Sequence, residues 1–186
     1  MSASPLAPNL LSAMPQLLEP NFHRAVVLLI HHDEEGTFGV VLNRPTDLTA
    51  PSLCSTLEID WNGRPDENID WGGPVQPETG WVLFEGGRLQ EEIGEVQDVT
   101  DGVCFAGSLD VLRHVAQDPP PHVRLLLGYA GWGPGQLEWE LSEGAWLIAP
   151  ATREAVFELD PDSMWDRVVR SLGIDPATLV ATRGVH

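Results

Sequence analysis

Lysine is absent from this chain: all ten basic residues among its 186 are arginine, set against 28 Asp and Glu. A phosphate-binding Gly-Lys-Ser/Thr loop, a protein-kinase strand lysine and a Schiff-base or Ser-x-x-Lys active site each require that amine, so none can be built here. The formal charge of -18 also argues against direct nucleic-acid binding, where affinity comes largely from basic groups that neutralise phosphates. Cysteine is scarce too. Cys54 and Cys104 make no disulfide framework, and reduced thiols are expected. The longest aliphatic run, Ala25 to Ile30, is far too short to span a bilayer. No basic region opens the chain, and Pro5, Pro8 and Pro15 interrupt any apolar leader, so no signal peptide is expected. A cytoplasmic location and no membrane partner follow by elimination.

Hydrophobic residues at 42% and charged residues at 20% are near globular averages. The length suits one domain over residues 1–186, with an ordered core at about 9–180. Strands are expected at Asn9 to Met14, Ala25 to His31 and Phe38 to Asn43, the last two joined by Asp33-Glu34-Glu35-Gly36 as a hairpin turn. Leu48 to Leu57 reads as a short helix containing Pro51, and residues 60–79 as a polar loop. Further strands are expected at Trp81 to Glu85, Val96 to Thr100, Gly102 to Ala106, Arg124 to Tyr129 and Ala145 to Ile148, with Gly86-Gly87 as a turn. Ser108 should cap a helix to about Gln117 whose apolar face is Leu109, Leu112, Val115 and Ala116. Gln136 to Ser142 reads as another helix. Asp160 and Pro161 open the clearest one, with Met164, Trp165, Val168, Val169 and Leu172 as its stripe and Gly173 as a left-handed cap. Strands interleaved with helices indicate a mixed sheet covered by helices.

Three blocks stand out. Gly131-Trp-Gly-Pro-Gly-Gln136 is a glycine-rich turn leading into a helix, where backbone N–H groups could hold an anion. Its spacing does not match a dinucleotide fingerprint, and Glu138 and Glu140 would repel a phosphate. Leu42-Asn43-Arg44-Pro45 carries the sole basic residue of the three, able to clamp a carboxylate or phosphate. Asp70-Trp71-Gly72-Gly73-Pro74 most simply forms a tight turn. Asp66, Asn68 and Asp70 start like a calcium loop, but Trp71 stands where glycine is needed and Pro77 where glutamate is. His31 and His32 point to opposite faces of a strand, so no metal site or other cofactor is expected. Catalytic residues are not assigned. Cys104 and His114 are too loosely related in sequence for a nucleophile–base pair to be claimed.

Together with Leu11-Ser-Ala-Met-Pro15, Phe22-His-Arg-Ala-Val26 and Gly36-Thr-Phe-Gly39, these blocks resemble the YqgE/AlgH family of bacterial proteins over roughly residues 9–180. The resemblance implies an α+β fold of one domain, a mixed sheet packed between helices in three α/β/α-like layers. The family has no settled activity; some members carry a provisional label of transcriptional regulator. The expectation is a non-enzymatic binding or regulatory module acting through an unknown protein partner or a small anionic ligand. Its candidate surface is Asn43, Arg44, Gly72, Gly73, Trp132, Gly133, Gly135 and Gln136. The alternative is an enzyme of unknown class that binds an anionic small molecule between Arg44 and the Gly131–Gln136 loop.

Overall fold

The computed structural model describes residues 6–15, 17, 20–86 and 95–179. It opens with β1 (Asn9–Ala13), a 3-10 turn (Pro20–Phe22), β2 (Val26–Asp33), β3 (Gly36–Val41), β4 (Pro45–Thr49) and α1 (Ala50–Thr56). Next come β5 (Asn68–Trp71), β6 (Val75–Phe84), β7 (Gln97–Thr100), β8 (Val103–Ala106) and α2 (Leu109–Gln117). The chain then forms β9 (Val123–Trp132), α3 (Gln136–Ser142), β10 (Trp146–Pro150), α4 (Arg153–Phe157) and α5 (Pro161–Ser171). The strands make one sheet in the order β10-β1-β2-β3-β9-β6-β8-β7, with β5 on β9 and β4 on β5. All pairings are antiparallel except β5 with β9, so the sheet is mixed.

Residues Val26 to Ile30 are buried without a break, because both sheet faces are covered. Val26, Leu28 and Ile30 pack with Met164, Trp165, Val168 and Val169 of α5 and Val156 of α4. Val27 and Leu29 point the other way, toward Leu137 of α3 and Trp146. On that second face α1 and α2 cover Val82, Phe84, Cys104, Ala106 and Leu125. The fold is therefore α+β, with helices on both sides of the sheet.

The expected caps are present. Ser108 Oγ accepts the Val111 N–H at 3.1 Å, and Asp160 Oδ1 accepts that of Asp162 at 2.9 Å. Gly173 has φ +80°. Four expectations and one omission need correcting. Residues 45–49 form β4, and the helix begins after Thr49, which caps it and leaves Pro51 in the first turn, where no N–H is missed. The supposed loop 60–79 holds β5 and the start of β6, whose partners are distant in sequence. β9 runs on through Trp132 by pairing with β3, so the glycine-rich turn starts later than expected. Thr152 caps α4, an element with no periodicity long enough to read. Leu109 is 49% exposed and Val111 takes its place in the core. Of the Gly86-Gly87 turn, Gly87 lies outside the described residues.

Candidate functional site

The Asn43–Arg44 step ends β3 and holds the turn that precedes β2. Asn43 is buried; its Oδ1 accepts the Val26 N–H at 3.0 Å and its Nδ2 donates to Arg24 O at 2.9 Å. Arg44 donates from Nη1 to Asn43 O at 3.2 Å and from Nη2 to His23 O. Two of the distinctive blocks thus meet, one serving as a clamp for the other. Arg24 sits at φ +54°, a backbone region that a side chain disfavours, and its guanidinium lies 5.1 Å from the Trp165 ring centroid. Burial draws the Arg44 pKa down, with no carboxylate among the described residues offsetting it.

Gly72 and Gly73 are buried at a backbone crossing. Gly72 N–H donates to Leu127 O at 2.7 Å, and Gly72 O accepts the Val41 N–H at 2.8 Å, so this step bridges β3 and β9 where they part. A Cβ at Gly73 would overlap the Tyr129 carbonyl, and one at Gly72 or Gly128 would overlap the opposing backbone. These glycines are required by close approach.

Beyond Trp132 the chain turns through Gly133 and Gly135, the latter at φ +74°, into α3. Gln136 Oε1 accepts the Gly133 N–H at 2.9 Å and Gln136 Nε2 donates to Glu140 Oε2 at 3.0 Å. The other oxygen of Glu140 accepts the indole N–H of Trp132 at 3.0 Å and of Trp146 at 2.8 Å. Beside the loop, His32 faces Thr37 Oγ1 at 2.6 Å with one ring nitrogen and Glu138 at 3.1 Å with the other.

Thr37 pairs with Trp132, and Arg44 lies seven residues further along the chain, past the end of β3 at Val41. The Arg44 turn and the Gly133–Gln136 loop are therefore at opposite ends of the β3–β9 pair, with Gly72 and Gly73 buried between them. Of the eight candidate residues, Gly133, Gly135 and Gln136 are exposed, Arg44 is half-buried, and Asn43, Gly72, Gly73 and Trp132 are buried.

A cleft of about 670 Å³ lies beside Pro45, where β5, the start of β9 and the α4–α5 turn come together. On its floor Arg124 donates from Nε and Nη2 to Asp70 Oδ2 at 3.0 and 2.9 Å, from Nη1 to Val156 O at 2.9 Å, and from Nη2 to Leu42 O. Burial pushes the Asp70 carboxyl up and Arg124 pulls it back. Burial also pushes Glu67 up, against the pull of Arg64. Sequence reasoning passed over Arg124, Glu67 and Arg24. An arginine between Val123 and Leu125 in an apolar strand was a signal, since a buried charge needs a partner; Glu67 offered none. No group of three or more His, Cys, Asp or Glu suited to a metal occurs among the described residues. No helix among them is long and apolar enough to cross a membrane.

A family model described as AlgH-like matches residues 10–177. A UPF0301 protein of Myxococcus xanthus is 43% identical over 182 residues, covering 97% of this chain and 98% of the relative. One from Magnetococcus marinus is 38% identical, covering 97% and 96%. The solution structure of AlgH from Pseudomonas aeruginosa superposes with a TM-score of 0.77 at 34% identity, covering 97% of both chains. A crystal structure from Corynebacterium diphtheriae shares the fold, with a TM-score of 0.74 at 24% identity and coverage of 92% and 89%. Motif blocks, sheet topology and these matches agree, and the chain belongs to the AlgH-like family.

Proposed function

We propose that this protein is a non-enzymatic binding module whose anion-accepting point is the turn formed by His23, Arg24 and Arg44. Charge supports this reading. Arg64, Arg113, Arg124, Arg153 and Arg170 each hold a carboxylate, whereas Arg24, Arg44 and the exposed Arg167 of α5 have no ion pair among the described residues. In a chain with 28 acids, the two arginines that share this turn, with no acid partner among the described residues, are the groups best placed to gain from an incoming anion. Arg44 is already fixed by two carbonyls, which lowers the cost of ordering it on binding. Residues 22–26 and 43–45 contain no hydroxyl, thiol or carboxylate for a covalent step. Both cysteines are buried, and burial pushes the Cys54 thiol up, away from the reactive thiolate. An enzyme that held one small anion between Arg44 and the Gly131–Gln136 loop would have to reach from one end of the β3–β9 pair to the other.

The test is titration of the protein with inorganic phosphate, followed by amide and arginine side-chain NMR shifts. Saturable shifts at His23 to Val26 that weaken with salt and in Arg24→Gln are expected. Shifts confined to Gly133–Gln136, or none, would overturn the reading.

A further inference from the structure

The cleft beside Pro45 is a separate surface with the opposite charge balance. One wall is the loop that follows α1. Trp61 donates its indole N–H to Arg64 O at 2.9 Å, and its ring lies against Gly63, where an added Cβ would come within 2.6 Å of it. Asn62 ties this loop to the end of α2, through its N–H to Ala116 O at 2.9 Å and its Nδ2 to Gln117 O at 2.9 Å. Three successive prolines, Pro119 to Pro121, and Phe157 also line the cleft. The ring of Trp61 is thus held in place before any ligand arrives.

Most charges that line this space are already matched. Asp70 has Arg124, Arg64 has Asp66, and His122 has Glu85. The N-terminal end of α5 at Pro161 is capped by Asp160. Among those that are not fully exposed, Glu67 is the exception. It is half-buried, and its carboxylate has no hydrogen bond or ion pair among the described residues, although Arg64 and Arg124 act on it across space. Asp118 adds a second acid at the rim, and the C-terminal end of α2 brings a partial negative charge.

We propose that this cleft binds an organic cation, a guanidinium or ammonium group on a short carbon chain, with Glu67 as counter-ion and Trp61 as its π-face. A volume of about 670 Å³ is ample for such a molecule. Aromatic rings attract guanidinium and ammonium groups, and prolines suit the methylene chain. The donor set does not suit a bare metal, since no three metal-ligating side chains converge among the described residues. Burial holds Glu67 against ionisation, with Arg64 opposing. A bound cation reverses that, so binding at mildly acidic pH drives a proton from Glu67 to the solvent.

The test uses the full chain and agmatine, which carries a guanidinium and an amine, in calorimetry and amide NMR. Saturable binding is expected, with shifts at the Trp61 indole N–H and the Gly63 amide. At mildly acidic pH the heat should vary with the ionisation enthalpy of the buffer. Glu67→Gln should weaken affinity at least tenfold while keeping the fold, Trp61→Ala should do likewise, and Trp61→Phe should retain most of it. Absence of binding, equal affinity in Glu67→Gln, or shifts that avoid this loop would overturn the proposal. Phosphate should leave these signals unmoved, so this result and that at the Arg24–Arg44 turn are read independently.

Discussion

The indole of Trp132 and the carboxylate of Glu140 are joined by a 3.0 Å hydrogen bond, and the same oxygen holds Trp146 at 2.8 Å. Glu140 therefore carries two indole donors at once, one from the end of β9 and one from the start of β10. Both rings belong to the core beneath α3. Glu140→Leu leaves two N–H groups unsatisfied, each worth about 1–3 kcal/mol. A loss of about 3 kcal/mol in denaturant unfolding is expected. Glu140→Gln, which keeps an acceptor oxygen, should lose less than half as much.

Two glycines with positive φ predict losses of different size. Gly73→Ala drives a methyl into the Tyr129 carbonyl and should lower stability by more than about 4 kcal/mol, or prevent folding. Gly135→Ala, also left-handed at φ +74° but in open space, should cost only about 1–2 kcal/mol. Thermal melting of the two variants side by side measures the difference between overlap and backbone preference alone.

Asp70 and Arg124 form a pair with only 10% and 12% of their side chains exposed. Asp70→Asn leaves a buried guanidinium without its counter-charge and should cost about 3–5 kcal/mol. Replacing both by apolar residues of similar volume should cost less than that single change. A double-mutant cycle in urea checks the ordering.

Glu67 gives a pH signature. Its folded pKa is raised above the ordinary 4.5, so between those two values the native state binds a proton that the unfolded chain does not. Its contribution to stability then grows as pH falls through the folded pKa and is lost as pH rises through it. Glu67→Gln should therefore melt higher than the parent protein at neutral pH, and the gap should close as pH approaches 4.5. Melting curves at several pH values read this; an equal gap throughout would contradict it.

Arg24 and Arg44 should separate in their effects. Arg24→Gln removes an exposed cation–π contact worth about 0.5–1 kcal/mol, and should chiefly reduce phosphate affinity. Arg44→Met also removes the donors to His23 O and Asn43 O, so melting temperature and affinity should fall together.

The helix caps at Ser108 and Asp160, the β2–β3 hairpin and the left-handed Gly173 were legible because each depends on residues within a few positions of one another. β5 was not legible. Four residues in a stretch rich in turn formers become a strand because β9 lies parallel to them on one side and β4 antiparallel on the other. The partners of Asn43 are 17 and 19 residues away and those of Arg124 are 32 to 82 away, beyond what local pattern can express. Arg44 was visible as a lone basic residue in a distinctive block. Its separation from the Gly133–Gln136 loop was not, since it depends on which way β3 runs beside β9.

Composition alone determined that every positive side chain here, apart from a protonated histidine, is a guanidinium, because no lysine exists to supply anything else. It also determined that acids outnumber those guanidiniums almost threefold. Only the tertiary structure decided which charges meet. Among the described residues, sheet pairing brings Arg124 onto Asp70, leaves Arg24 and Arg44 without a carboxylate, and leaves Glu67 half-buried without an ion pair. The reason is range. Backbone propensity acts over one turn of chain, whereas the gain or loss of a charge partner depends on strands that meet from distant parts of the sequence.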